Sequence, residues 1–299
     1  NLPAVIDMLM GIDPATGLAS PKYFESVLKS MMGNSSLDGF IQACASNIYQ
    51  LGQRAFGNIY SEFENNCRWA TDGWMRRHLS GPSDFSFSWL GDDEHPITVF
   101  IVAMRGTRAF QASIPWLRTV SELSLEIFST RTNVGCKPLL WVGDEYKSWG
   151  AEVEGVRVGF TILRDKNVKL VLYTQSWEQL VEMFGEHGAA ELESCSTMQY
   201  FGCNDLATAE RISRRLGKTS TSQSKGWFNR EKIRREVDLV TPAEVMQELR
   251  SSSNIQYLMP SNSLPMRLER VAFKELYTRD GGYFAGLPLE GHYDDGLSK

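Results

Sequence analysis

The chain has 299 residues, of which 42% are hydrophobic, 22% charged and 11% aromatic, a composition that excludes disordered, collagenous and coiled-coil classes. Lys and Arg total 31 against 36 Asp and Glu, a net charge of -5, which argues against a dedicated reader of duplex DNA but leaves room for a local basic patch. The five cysteines (Cys44, Cys67, Cys136, Cys195, Cys203) form no C-x-x-C pair, and the four histidines (His78, His95, His187, His292) have no metal-ligand spacing, so free thiols and no zinc site are expected.

Residues 1 to about 80 carry helical spacing broken by Gly and Pro. Phe24, Val27, Leu28 and Met31 share one face, Ile41, Ile48, Leu51 and Phe56 continue the pattern, and the aromatics Trp69, Trp74 and Trp89 read as core or helix packing in preference to a base-stacking platform. A small all-α domain is expected over residues 1–90. The sequence opens on Asn1 and not on Met, and the reading takes it as a piece of a longer protein. No basic-then-apolar leader precedes the helices, and the most apolar run, Ile97 to Met104, is too short to cross a bilayer.

From Ile97 compact apolar runs alternate with amphipathic segments, the pattern of an α/β core with buried parallel strands, expected over residues 91–275. The predicted strands are Ile97 to Met104, Leu139 to Val142 and Val168 to Tyr173, the last pairing beside the second with its other edge unfilled. Between the first two, Trp116, Val120, Leu123 and Ile127 predict the buried stripe of a helix. Ser176 and Gln179 predict a capping box for a helix stopped by Gly185, Asn204 a cap for a helix ending at Gly217, and Thr241, Pro242 and Glu244 another helix start. Gln256 to Met259 and Arg267 to Phe273 predict short strands, and the Gly- and Asp-rich tail 276–299 reads as loose.

The chemistry concentrates in Pro138-Leu-Leu-Trp-Val-Gly-Asp-Glu145. An apolar strand ending in two acids puts both carboxylates at the C-terminal edge of a parallel sheet, where open α/β folds bind ligands. In a nucleotide hydrolase Asp144 would hold the Mg2+ shell and Glu145 would orient or deprotonate the attacking water; a solvated acidic loop is the plainer alternative. The next predicted strand ends in Tyr173-Thr-Gln175, placing an amide where a strand meets a helix, suited either to a phosphate or water contact or merely to capping a turn. Leu216-Gly-Lys-Thr-Ser220 imitates a phosphate-binding loop, but Ile212 stands where the motif needs Gly, and the segment follows a helix instead of a strand. From Arg211 to Arg235 the chain is strongly basic, with Lys225, Arg230, Lys232, Arg234 and Arg235 following Arg211, Arg214, Arg215 and Lys218; those first four share a helical face that reads either as a phosphate-contacting stripe or as a solvated helix end.

Taken in order, several segments resemble one family, the coupling proteins of type IV secretion and conjugation, the TraD/TraG-like ATPases. Ser83-Asp-Phe85, Thr98 to Val102 and Trp116-Leu-Arg118 resemble the family's entry into its core after an inserted helical domain. Pro138 to Glu145 resembles its Walker B strand, and Leu163 to Gln175 with Gln179-Leu180 and Phe184-Gly185 its sensor strand and helix. Ala207 to Ser213, Leu216-Gly217, Thr219 and Leu239 to Val245 are similar to its closing region. The resemblance implies a RecA-like P-loop NTPase core with an inserted all-α domain, here the C-terminal part with its parallel sheet. It implies ATP and Mg2+ as cofactors, a homo-hexamer, and recruitment and translocation of relaxase-bound DNA or effector proteins to a secretion channel at the cytoplasmic face of the bacterial inner membrane. By position Arg164 matches an arginine finger offered to the neighbouring subunit's nucleotide. Gly143 departs from the family by replacing an aliphatic residue before Asp144. The family's phosphate-binding loop and membrane segment have no counterpart in the sequence, so this chain alone is expected to bind ATP poorly and to be inactive. Two other readings stay open: a DNA-pumping ATPase of the chromosome-segregation type, and a nucleotide-independent adaptor that docks substrates.

Overall fold

The computed structural model describes residues 2–51, 53–91, 97–103, 108–132, 137–150, 152–224, 232–272 and 275–278. Met104, Cys136, His95, Lys225, Arg230, Phe273, His292 and the tail from residue 279, all used in the sequence reading, lie outside them. The chain divides into two compact units, residues 1–142 with 148–171 and residues 143–147 with 172–299.

The first unit opens with helices α1 (Leu2–Leu9), α2 (Pro21–Met32), α3 (Phe40–Gln50), α4 (Gln53–Cys67) and α5 (Gly73–Ser80), as the periodicity predicts. Ser20 caps α2 through the Tyr23 amide with Pro21 in the first turn, and Asp72 caps α5 through the amides of Trp74 and Met75. Arg76 of α5 donates to both oxygens of Asp7 on α1, at 2.7 and 2.6 Å, a fork that ties the first helix to the fifth. Phe24, Phe56 and Tyr60 form an aromatic cluster between α2 and α4. Trp74 and Trp89 are about half exposed, so of the two expected roles, core or helix packing, neither fills the first; Trp74 stacks on His78, which packs edge-to-face with Trp116 of the next long helix.

Helix α6 (Arg108–Ser129) buries a different face from the predicted one. Ser113, Leu117, Ser121, Ser124, Leu125 and Phe128 are inside while Leu123 is about half exposed. Serine can be buried on a helix when its hydroxyl donates to a carbonyl one turn back, as Ser113 does to Phe110 and Ser124 to Ser121, and a small side chain lets a neighbouring helix approach. That neighbour is α7 (Glu154–Ile162), whose first turn is closed by Glu122 of α6 accepting from the Gly155 amide at 2.9 Å.

Strand β1 (Leu139–Gly143) and strand β2 (Val168–Leu172) flank α7 and pair with each other. The Leu139 amide donates to the Asn167 carbonyl and the Tyr173 amide to the Gly143 carbonyl, each at 3.0 Å, so the strands run parallel, as expected. Among the described residues no third strand joins them. Residues 97–103 of the predicted first strand are not in a ladder, and Phe100 and Val102 are exposed. An apolar run becomes a strand only beside a chain that takes its backbone groups, and no described segment does so here.

The second unit contains α8 (Trp177–Cys195), β3 (Met198–Tyr200), α9 (Leu206–Leu216), β4 (Lys218–Ser224), β5 (Lys232–Asp238), α10 (Pro242–Glu248), β6 (Ile255–Met259), β7 (Met266–Glu269) and α11 (Glu275–Thr278). Gly185 breaks α8 with φ 70 and ψ 169, where the sequence reading ended the helix, but a second helical arm continues to Cys195. Asp205, one residue beyond the expected Asn204, caps α9 through the Thr208 amide. Thr241 and Glu244 form the reciprocal capping box at α10. Strands β3, β6 and β7 make an antiparallel sheet, and α9 and α10 bury Ala209, Ile212, Val245 and Leu249 against Tyr200, Tyr257 and Met259.

Gly217, with φ 87, turns α9 directly into β4, so the imitation phosphate loop is a helix-to-strand turn. Strands β4 and β5 form an antiparallel hairpin with Thr219 opposite Val237 and Thr221 opposite Arg235. It was not foreseen, because Lys-Thr-Ser-Thr-Ser-Gln-Ser has no apolar alternation to mark it.

Candidate nucleotide site

The tip of β1 carries the two acids. Gly143 is buried and accepts from Tyr173; Asp144 and Glu145 are exposed; Tyr146 then returns to the interior, its amide donating to the Tyr173 carbonyl at 3.4 Å. Both ends of the acidic dipeptide are therefore pinned to the backbone of one residue, Tyr173, two positions before Gln175. The Tyr146 ring stacks on Phe184 of α8, centroids 5.8 Å apart and planes 10° from parallel, and Lys147 pairs with Glu182 of the same helix. Glu145 takes a left-handed φ of 45, a conformation that costs a non-glycine residue about 1 kcal/mol and persists only where neighbours impose it.

Gln175 is exposed at the entrance to α8. Its amide donates to Oε1 of Gln179 at 2.9 Å, while the Gln179 amide donates to Ser176 Oγ at 3.4 Å. The capping box is thus offset by one residue from the expected reciprocal form. The Gln179 side chain reaches past Ser176 and fixes Gln175. Asp144, Glu145 and Gln175 are held around one stretch of backbone in the second unit. Arg164 belongs to the first unit, in the single turn Leu163–Lys166 before β2, and is exposed.

The acids match the chemistry of an Mg2+ ligand: an exposed carboxylate at a strand tip offers hard oxygens, and Mg2+ is commonly held by one or two carboxylates together with phosphate oxygens. A cavity of about 400 Å³ lined by Arg68, Trp69, Thr71, Asp72, Gln111 and Ala112 lies in the first unit and includes none of the predicted site residues.

The basic stripe is rearranged. Arg211 and Arg215 both pair with Glu193 of α8, Arg215 at 3.0 Å, and Lys218 lies in β4 facing Glu236 at 3.5 Å. Only Arg214 of the four remains on an exposed part of α9. Sequence reasoning overlooked Trp177 and Thr208. The Arg211 guanidinium lies 3.5 Å from the Trp177 ring centre, and Thr208 Oγ1 accepts the Trp177 amide at 3.3 Å. A large aromatic in the first helical position, two residues after Gln175, was the available signal.

Residues 138–249 match the family described as the TraM recognition site of TraD and TraG. The type IV secretion system-coupling protein VirD4 of Bartonella henselae is 35% identical over 259 residues, covering 81% of this chain and 38% of that protein. VirD4 of Bartonella quintana is 26% identical over 260 residues with the same coverage. The chain therefore spans 38% of the length of these relatives. Among solved structures, the plasmid coupling protein TrwB in complex with ADP and Mg2+ aligns with a TM-score of 0.57 at 18% identity, covering 91% of this chain and 57% of that one. TrwB with sulphate gives 0.58 at 18%, covering 90% and 62%. These likenesses establish the fold as a RecA-like core with an all-α insertion.

Proposed function

Since the chain belongs to the coupling proteins of type IV secretion and conjugation, we propose that it supplies the Walker B half of an ATP-driven motor. The motor recruits relaxase-bound DNA, or effector proteins, and moves them into the secretion channel. The observation that carries this reading is the double backbone hold on Tyr173, which keeps Asp144 and Glu145 beside the segment leading to Gln175. Residues 1–90 serve as the helical domain and 91–275 as the motor core, working as a homo-hexamer at the inner membrane. No helix among the described residues is long and apolar enough to cross a membrane. Residues 138–249 also carry the surface for a TraM-like partner.

In this reading Asp144 holds Mg2+ through a carboxylate oxygen. Mg2+ held there would supply positive charge against the charge that develops on the nucleotide phosphates. Glu145, whose left-handed backbone ends the strand direction, accepts a hydrogen bond from the attacking water and aligns it. Gln175 donates its side-chain amide N–H to the terminal phosphate or to that water. Arg164 reaches the nucleotide of a neighbouring subunit, so hydrolysis depends on assembly. Residues 1–299 contain no G-x-x-x-x-G-K-[ST] loop, and alone they are inactive.

The test is Glu145→Gln in the full-length coupling protein. The substitution keeps size and removes the carboxylate, so ATP turnover falls by about 100-fold or more while nucleotide binding persists, and substrate transfer stops. Transfer that continues at the wild-type rate would identify a nucleotide-independent adaptor instead.

A further inference from the structure

The amide of Trp177 opens α8 and has no partner within its own helix, like every first-turn amide. Ser176, the residue placed to cap the helix, spends its hydroxyl on the Gln179 amide. The Trp177 amide is taken from outside, by the nearly buried hydroxyl of Thr208 on α9. One turn further along α9, Arg211 sets its guanidinium over the Trp177 ring, 3.5 Å from its centre, and forks onto the carboxylate of Glu193 in the second arm of α8. The guanidinium is thus held by Glu193 on one side and by the Trp177 ring on the other. Trp177 lies two residues after Gln175, whose backbone amide is tied to the Gln179 side chain.

We propose that Arg211 is a positioning residue for Gln175. Acting through Trp177, and with Thr208 fixing the same residue's backbone, it holds the start of α8 so that the side-chain amide of Gln175 faces the nucleotide in one orientation. The proposal rests on the reading of Gln175 as the nucleotide-contacting amide, and it makes α9, within the segment matched to the TraM recognition family, a support of the hydrolytic site. Only a planar cation serves: lysine would keep the charge opposite Glu193 but could not stack and fork at once.

The experiment uses the full-length coupling protein with Arg211→Ala, Arg211→Lys, Trp177→Phe, Trp177→Ala, Gln175→Ala and the Arg211→Ala/Gln175→Ala double variant. Arg215 still pairs with Glu193 when Arg211 is lost, so the fold is retained, and thermal melting checks this. Arg211→Ala, Arg211→Lys and Trp177→Ala are expected to lower kcat about 10-fold with KM changed less than about twofold, because a displaced group costs rate more than affinity. Trp177→Phe keeps an aromatic face and restores most of the rate. Arg211→Ala adds no further loss in the Gln175→Ala background, whereas losses that multiply would show that Arg211 acts independently of Gln175 and overturn the proposal. Amide hydrogen exchange over residues 175–179 separates this from the sensor reading. Faster exchange in Arg211→Ala supports the positioning contact, and unchanged exchange refutes it, whatever Gln175 does. If Gln175→Ala alone leaves hydrolysis intact, the sensor role falls instead.

Discussion

Tyr200 brings an aromatic ring into the core of the second unit together with a hydroxyl that has no hydrogen-bond partner among the described residues. Burial pushes its pKa up to about 12, the nearby Glu193 adds to the rise, and Arg215 and Arg211 work against it. Removing an unsatisfied buried hydroxyl is neutral or stabilising, so Tyr200→Phe is expected to leave the melting temperature unchanged or to raise it by the equivalent of up to about 1 kcal/mol. The proton is held more tightly in the folded state, so this residue's contribution is complete below the ordinary tyrosine value of 10.0 and fades as pH climbs toward about 12. Alkaline unfolding of wild type and Tyr200→Phe over that interval should show the variant losing less stability. The same scale shows what sequence reading reaches. The placement of Asp144, Glu145 and Gln175 just beyond strand ends was legible because it is a chain-local property. The partnership of Arg211 with Trp177 and Glu193 was not, because it joins two helices and a charged stripe on a helical wheel looks the same whether it meets solvent or a carboxylate.

Among the elements, α8 is the most informative. Its break at Gly185 combines φ 70 with ψ 169, a region essentially closed to residues with a Cβ, although an added Cβ would meet no atom within 4 Å. The obstacle to replacement is therefore backbone strain alone, and Gly185→Ala is expected to cost about 1–3 kcal/mol, read as a lower denaturant midpoint. If melting is unchanged, the bend is not imposed by the fold. Caps and glycine stops were legible to within a residue because they depend on a few adjacent side chains, as at Thr241–Glu244 and Asp205. The burial of α6 was misjudged because Ser113 and Ser124 satisfy their hydroxyls internally and so act as small core residues. The hairpin β4–β5 went unseen for the converse reason: its ladder is backbone chemistry with no apolar signature.

For the molecule as a whole, acid sensitivity is written into both units. Hydrogen bonding from Arg76 lowers the pKa of Asp7 below 3.8, and hydrogen bonding from Arg267 lowers that of Glu248 below 4.5, with Tyr257 donating to the same carboxylate. Both carboxyls are more acidic folded than unfolded. Their contributions are present above the unfolded values and disappear as pH falls through the lower folded ones. Stability should therefore decline below about pH 4.5, and Asp7→Asn, which is less stable at neutral pH, should show a shallower acid decline in the first unit's unfolding. A variant as acid-sensitive as wild type would deny Asp7 this part. The α/β class and the parallel pairing of β1 with β2 were readable because apolar runs followed by acids or amides mark strand ends. The extent of the sheet was not, since residues 97–103 are as apolar as a strand yet have no described neighbour to pair with.

The divided α8 has one last implication. Arg211 grips the first arm at Trp177 and the second at Glu193, spanning the bend like a strut across a knee. A strutted joint does not swing: a tilt of the first arm must either drag its companion along or tear the guanidinium from one of its two anchors.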